Sequence, residues 1–251
     1  MTTQRSVVLT VYAPALGVGD VRTLAAVRGL ERALPSLRLE WAVSKEGRPI
    51  ALPQRDAWLA EAATRGKFPL VCNGDESYPV TIAGFRRHAS SNPGGQPHLQ
   101  VNADLPLDAA VIAAAGNALE YVAEGACAFW GHASPDGYGS EVAQQMRSSA
   151  HGPERSPRGL PMLNPPEEIR SPEIPYYLGW LNYWSAAAAN AIGFPDPARD
   201  SDLLSRARRT ASGGWVVQLT DAPLDLDNPA HLDALKRAYA RFPEIGGRSA
   251  P

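Results

Sequence analysis

Four aspartates, Asp221, Asp225, Asp227 and Asp233, fall in a stretch that holds no Lys or Arg. Carboxylates at such density either ligate a hard cation or present an acidic face to a basic partner. The sequence DLDN at 225–228 begins like a calcium loop. The glycine such a loop requires is missing, however, and the twelfth position is Lys236 where a Glu is needed. Asn228 followed by Pro229 is instead the signature of a helix start, whose positive end favours nearby acids. Two readings stay open for the stretch: a solvated loop leading into a helix, and an acidic contact surface. Further carboxylate pairs occur at Asp75-Glu76 and Glu167-Glu168, in turn-like or Pro-rich sequence where solvated acids are expected.

Other chemistries lack their residues. No phosphate-binding glycine pattern follows a strand, and GVG at 17–19 merely precedes a helix. Five histidines, His88, His98, His132, His151 and His231, show no metal-binding spacing. Cys127 and His132 suggest a thiol nucleophile with its base, but no family signature surrounds them, and a small buried Cys at a helix end is the plainer account. GYGSE at 137–141 lacks the second glycine of a nucleophile elbow. No catalytic residue, metal or cofactor is expected.

The elements that would position these residues follow from periodicity. Val7, Leu9 and Val11 alternate with Thr10 and Tyr12, giving a strand over 6–12. A helix over 20–34 places Val21, Leu24, Val27, Leu30 and Leu34 near one face, and Pro35 stops it. Strands are expected at 37–43, 68–72, 78–85, 98–105, 127–132 and 213–220, and helices at 56–66, 107–125 and 228–242. Between 151 and 175 seven prolines exclude helix and central strand, and the segment reads as an extended strap across one domain. At 176–184, Tyr176, Tyr177, Trp180, Tyr183 and Trp184 lie on both faces of a strand that must be covered on both sides, with a close-packed helix starting at Ala186. The expected architecture is α+β: a single domain over 1–251, with a mixed or mostly antiparallel sheet and helices packed against it.

A net charge of −2 removes any general attraction to nucleic acid or anionic membranes. No apolar run reaches the ~18 residues of a spanning helix. Ala13-Pro14-Ala15 resembles an export cleavage site, but the alternation before it suits a first strand better. Two cysteines form no disulfide framework, in keeping with a reducing cytoplasm.

Two segments carry a resemblance. LGWLNYWS at 178–185 and GGWVVQLTDAPLDLDNPAHLDALKRAYARF at 213–242 are similar to the ending of immunity-protein family fifty-two of bacterial polymorphic-toxin systems. That family has a Gly-Trp-hydrophobic-x-Tyr segment, a strand, an acidic turn with Asn-Pro-x-His, and a final helix. Gly179, Trp180, Leu181 and Tyr183, then Leu224, Asp225, Asn228, Pro229 and His231, occupy those positions. Leu224 stands where the family has an aromatic, and 190–211 is richer in charge. The whole chain more closely resembles a myxobacterial family of unknown function with the same ending, which the NGDES turn at 73–77 also fits. The resemblance implies a cytoplasmic, non-catalytic protein that binds a cognate toxin, a restriction-endonuclease-like nuclease, and blocks its active site. Acidic contacts at Asp75, Glu76, Asp225 and Asp227 would steer the encounter, with Trp180 and Tyr183 as aromatic anchors. Neither direct nucleic-acid binding nor a membrane is implied, and a homo-oligomer stays open. The alternative is a small-ligand binder or enzyme whose aromatics line a pocket; a further one is a structural subunit of an assembly.

Overall fold

Alternation through Ser6–Pro14 makes this segment (β1) the long strand near the centre of a ten-stranded sheet. The computed structural model describes residues 6–146, 156 and 158–248. Along the chain come α1 (Arg22–Ala33), β2 (Trp41–Val43), β3 (Pro49–Ala51), α2 (Arg55–Thr64), β4 (Val71–Cys72), β5 (Thr81–Arg87) and β6 (His98–Pro106). There follow α3 (Ala109–Ala126), β7 (Trp130–Pro135), α4 (Tyr138–Gln145), β8 (Leu181–Trp184), α5 (Ala186–Ala191), α6 (Ser201–Ser205), β9 (Ala207–Arg209), β10 (Trp215–Gln218) and α7 (Pro229–Arg241). The spatial order is β3-β2-β4-β5-β6-β1-β7-β8-β10-β9, and every pair is antiparallel. The protein is an α+β single domain.

Residues paired across strands share a face. One face carries Val7, Leu9 and Val11 of β1 opposite Leu105, Ala103 and Val101 of β6. It lies under α1 and α3, which cross at backbone contact: a Cβ at Gly29 would sit 2.4 Å from the Tyr121 carbonyl oxygen. The second face carries Val8, Thr10 and Tyr12, then Ser134, His132 and Trp130 of β7, then Asn182 and Trp184 of β8. Its β7–β10 half is covered: Trp130 stacks on Tyr12 at 4.3 Å, and Trp184 meets Phe194 and Phe242 edge-on. Its β5–β6 half carries a ladder in which Arg87 donates to Gln100 and Gln100 to Asn102, beside Phe85, which is 53% exposed.

The described part of the proline segment contains one short 3-10 turn, Pro166–Glu168. Leu160, Leu163, Ile169 and Ile174 anchor it in the core. Backbone bonds tie it to both neighbours: Leu163 N–H donates to Gln145 O, and Asn164 N–H to Gly246 O. Residues 151–155 and 157 of the expected strap lie outside the described residues.

Several expectations shorten or move. The strand expected at 37–43 pairs only over Trp41–Val43, and the alternation slips, so that Leu37, Leu39 and Ala42 are buried while Val43 is exposed. Val21 precedes α1 and is 77% exposed, because the helix begins one residue later and its buried stripe runs through Thr23, Ala26, Val27 and Leu30. At 176–184 only Leu181–Trp184 pairs as strand; before it Tyr176, Leu178 and Trp180 are buried, Tyr177 is half-buried, and only the Trp180 carbonyl takes a cross-strand bond, from the Leu219 amide.

Candidate functional site

An antiparallel register sends the connections of a sheet out at two ends. Cys72 pairs with Thr81, Thr81 with Asp104, Val8 with both Asp104 and Ser134, and Leu181 with both Ala133 and Gln218. The turn at 73–80, the start of α3, the turn at 136–137 and the loop at 219–228 therefore leave from one end. They bring Asp75, Glu76, Asp104, Asp108, Asp136, Asp221, Asp225 and Asp227 to it. The four acids singled out in the sequence thus leave from one end of the sheet, Asp75 and Glu76 after β4 and Asp225 and Asp227 after β10, six strand positions away.

The loop at 224–227 is built by alternation. Leu224 and Leu226 are buried, which turns Asp225 and Asp227 outward. Asp225 Oδ1 accepts from the Asp227 amide at 3.0 Å, while the Asp225 amide donates to His231 Nδ1 at 3.1 Å. Asn228 caps α7 by accepting from the Ala230 amide. Beside this loop lies an open groove of about 360 Å³, into which the turn after β7 adds Asp136 and α4 adds Glu141. Arg158 from the proline segment crosses it, 2.9 Å from Asp227 Oδ1 and 3.3 Å from Glu141 Oε1, and also donates to the Leu226 carbonyl. Asp227 keeps 83% of its side chain exposed despite this pairing.

The turn at 73–80 is held by its own side chains. Asp75 Oδ1 accepts from the Ser77 hydroxyl and amide, which holds this carboxyl below the usual range. Glu76 is exposed. Tyr78 donates to Asp108 at 2.6 Å, tying the turn to the residue that caps α3. Burial and the Asp108 carboxylate push the Tyr78 phenol up to about 12.

Trp180 and Tyr183 belong to the interior and present no surface in this conformation. Trp180 is 1% exposed, and its Nε1 donates to the Thr220 carbonyl at 2.9 Å. Tyr183, on the helix face of β8, donates to Glu124 of α3 at 3.0 Å, and burial raises its phenol. The flanking Gly179 packs so closely that a Cβ there would sit 2.7 Å from the Ser134 hydroxyl. The Gly-Trp-x-x-Tyr landmark therefore belongs to the scaffold, and its apolar pattern reflects core packing.

A second cavity, about 290 Å³, shares the wall at 135–138 with the groove and is lined by Thr10, His132, Ser134 and Tyr177. The Tyr177 hydroxyl lies 2.7 Å from His132 Nε2, and burial pushes the His132 ring down to about 3, so it is neutral at pH 7. Sequence reasoning missed Asp136, Glu141, Arg158 and this His–Tyr pair. Pro135-Asp136-Gly137 was the available signal, a turn signature between strand and helix. Cys127 does not serve His132: it is the exposed left-handed cap of α3, whereas His132 is buried on the far face of β7. Among the described residues no group of three or more His, Cys, Asp or Glu could hold a metal ion, and no helix is long and apolar enough to cross a membrane.

No curated protein matches the chain. Among solved structures it is similar to the Pseudomonas aeruginosa T6SS protein PA0821, at 16% identity and a TM-score of 0.52, over 95% of this chain and 73% of that one. At that identity the likeness speaks for the fold alone. A family model matches residues 18–250, and the chain belongs to that family, described as Domain of unknown function (DUF5953).

Proposed function

We propose that the chain is an immunity protein. In the cytoplasm it binds a cognate nuclease toxin and blocks the active site with the acidic end of its sheet. The observation that carries this reading is the placement of carboxylates from four separate connections at one end of the sheet, with Asp225 and Asp227 turned outward by buried leucines. A nuclease cleft is basic because it holds a polyanion, so such a surface steers the encounter and complements the site. The resemblance at 178–185 and 213–242 and the fold shared with a T6SS protein add support for a secretion-related setting.

A small-ligand site over His132 is the second reading, favoured by the buried neutral ring and its Tyr177 partner.

The test is co-expression with a candidate nuclease toxin from a neighbouring gene, read as growth rescue, together with a pull-down of the purified pair. Asp225→Lys with Asp227→Lys should slow association and weaken rescue, most strongly at low salt, where charges are least screened. Failure to bind that toxin at micromolar concentration overturns the reading.

A further inference from the structure

Four side chains of β1 and β7 form one block on the second face of the sheet. Val8 pairs with Ser134 and Thr10 with His132, and residues two apart on a strand share a face. All four line the cavity of about 290 Å³ over His132, so register and lining agree. Tyr177 forms one wall, and Gly137 and Gly139, at the start of α4, offer their backbone to the other. The polar groups here are largely unspent. Thr10 is 5% exposed, and its hydroxyl has no hydrogen-bond partner among the described residues. Its polar neighbours bond elsewhere: Asn102 accepts from Gln100, Ser134 from the Trp180 amide, and Tyr177 meets His132. Ser134 therefore keeps its own proton to give. Helix α4 has no side-chain cap, so the Tyr138 and Gly139 amides lack intrahelical partners. A buried hydroxyl in the condition of Thr10 calls for an explanation, because nearly all such groups are paired.

We propose that this cavity binds a neutral polyol ring of the monosaccharide class. The assignment rests on the small-ligand reading of the His132 cavity and names its occupant. Charge selects against ions of either sign. Asp136 is the one ionised side chain on the lining and repels an anion, while the positive end of α4 repels a cation. His132, neutral at pH 7, adds no charge. A ligand hydroxyl both donates and accepts, so it meets Thr10, Ser134 and Tyr177 whichever way their protons turn. Asp136 Oδ1 accepts from the Gly137 amide at 2.8 Å, and its second oxygen is left for a ligand hydroxyl in a charge-assisted bond. These groups stand on the floor, a wall and the rim, an array that suits a puckered ring better than a flat heterocycle. Val8 and the Tyr177 ring cover its C–H surface, and the volume admits about one such ring.

D-glucose, D-galactose, D-mannose and D-ribose are titrated into the full chain, with acetate and methylammonium as ionic probes. NMR follows the Gly137 and Gly139 amides and the His132 ring nitrogens. At least one sugar is expected to saturate these signals at millimolar concentration, and to bind more tightly than either ion. Thr10→Val keeps the shape of the side chain and removes only its hydroxyl. Because that hydroxyl has no partner in the free protein, the Tm of the variant should equal or exceed that of the parent. Its sugar affinity should nevertheless fall about tenfold, as expected for one lost hydrogen bond in a closed site. Saturation by none of the probes overturns the site and the small-ligand reading with it. Tighter binding of acetate or methylammonium overturns the polyol alone and leaves that reading standing. A lowered Tm for Thr10→Val would show the hydroxyl to be employed by the fold, and overturns the proposal, as does unchanged sugar affinity in that variant. None of these outcomes depends on toxin binding.

Discussion

Trp180 decides between an interior landmark and a partner anchor, and Trp180→Phe separates the two. The indole donates to the Thr220 carbonyl, which also accepts from Gln218 Nε2 at 2.8 Å. Removing the indole N–H therefore leaves the carbonyl with one partner, so the loss is about 1 kcal/mol for a hydrogen bond and not the larger cost of an orphaned group. The smaller ring leaves a void on the order of 40 Å³, which at ~24 cal/mol per Å³ contributes about 1 kcal/mol more. The sum, about 2 kcal/mol, corresponds to a fall in Tm of about 4–8 °C for a chain of this size. Trp180→Ala removes the whole side chain and should cost about 3–5 kcal/mol. Urea unfolding followed by tryptophan-independent circular dichroism should show a lower midpoint at unchanged slope. Partner affinity of the folded Trp180→Phe protein should stay within a factor of about two, because no part of the ring reaches the surface. Stability within ~0.5 kcal/mol of the parent, or lost affinity at full stability, would refute the assignment to the core.

Three further outcomes follow from the packing. Gly29→Ala drives a methyl into the Tyr121 backbone at the α1–α3 crossing and should cost about 1–3 kcal/mol by chemical denaturation, whereas Gly17→Ala, with open space around it, should be near neutral. Asp200, fully buried, receives two bonds from Arg241, at 2.5 and 2.9 Å; Asp200→Ala leaves the guanidinium without its counter-charge, holding only the Gly193 carbonyl, and should cost about 3–5 kcal/mol, and a midpoint shift under 1 kcal/mol would contradict that. The His132 ring, ordinarily at 6.5, is pushed down to about 3 by burial, so below pH 6.5 the unfolded chain binds a proton that the folded one refuses. This contribution to stability is whole above pH 6.5 and is lost as pH falls toward 3, with a slope of about 1.4 kcal/mol per pH unit. His132→Asn should flatten that acid limb in a stability–pH series, and an unchanged limb would show that the ring is not the source.

The elements that could be read from sequence are those whose own residues settle them. Asn228-Pro229 starts α7 where expected, and Asp108 caps α3 by accepting from the Val111 amide. Helix α4 went unseen because its eight residues bury Tyr138, Val142 and Gln145, and a buried glutamine leaves no apolar stripe to detect. Strands β3 and β9 are three residues each, too short for a period. The aromatic run at 176–184 reads as a strand covered on both faces, and covered it is. Yet only its last four residues pair, since burial is legible in composition while ladder partners lie elsewhere in the chain. Asp225 and Asp227 were visible as acids. Their setting was not, because Arg158 stands 69 residues from Asp227 and reaches it only through the fold.

A net charge of −2 describes a chain with little field of its own, and composition alone would assign no steering to it. The antiparallel register changes that conclusion by sorting connections between two ends. The turns at 73–80, 136–137 and 219–228 share one end, and the acids concentrate there. Lys67, Arg86 and Arg87 lie at the other, where β5 ends and β6 begins. What a partner meets is therefore a dipole whose ends are separated by the length of a strand. At seven residues of ~3.4 Å, the span of β5 exceeds the ~8 Å Debye length at physiological salt several times over. Each end is thus screened from the other and acts locally. A basic partner is drawn to the acidic connections without being repelled by Lys67, Arg86 and Arg87 at the far end. Lys67→Glu with Arg86→Glu should therefore leave affinity for a basic partner unchanged in physiological salt, while an effect should emerge as ionic strength falls and the screening length approaches the span of the strand.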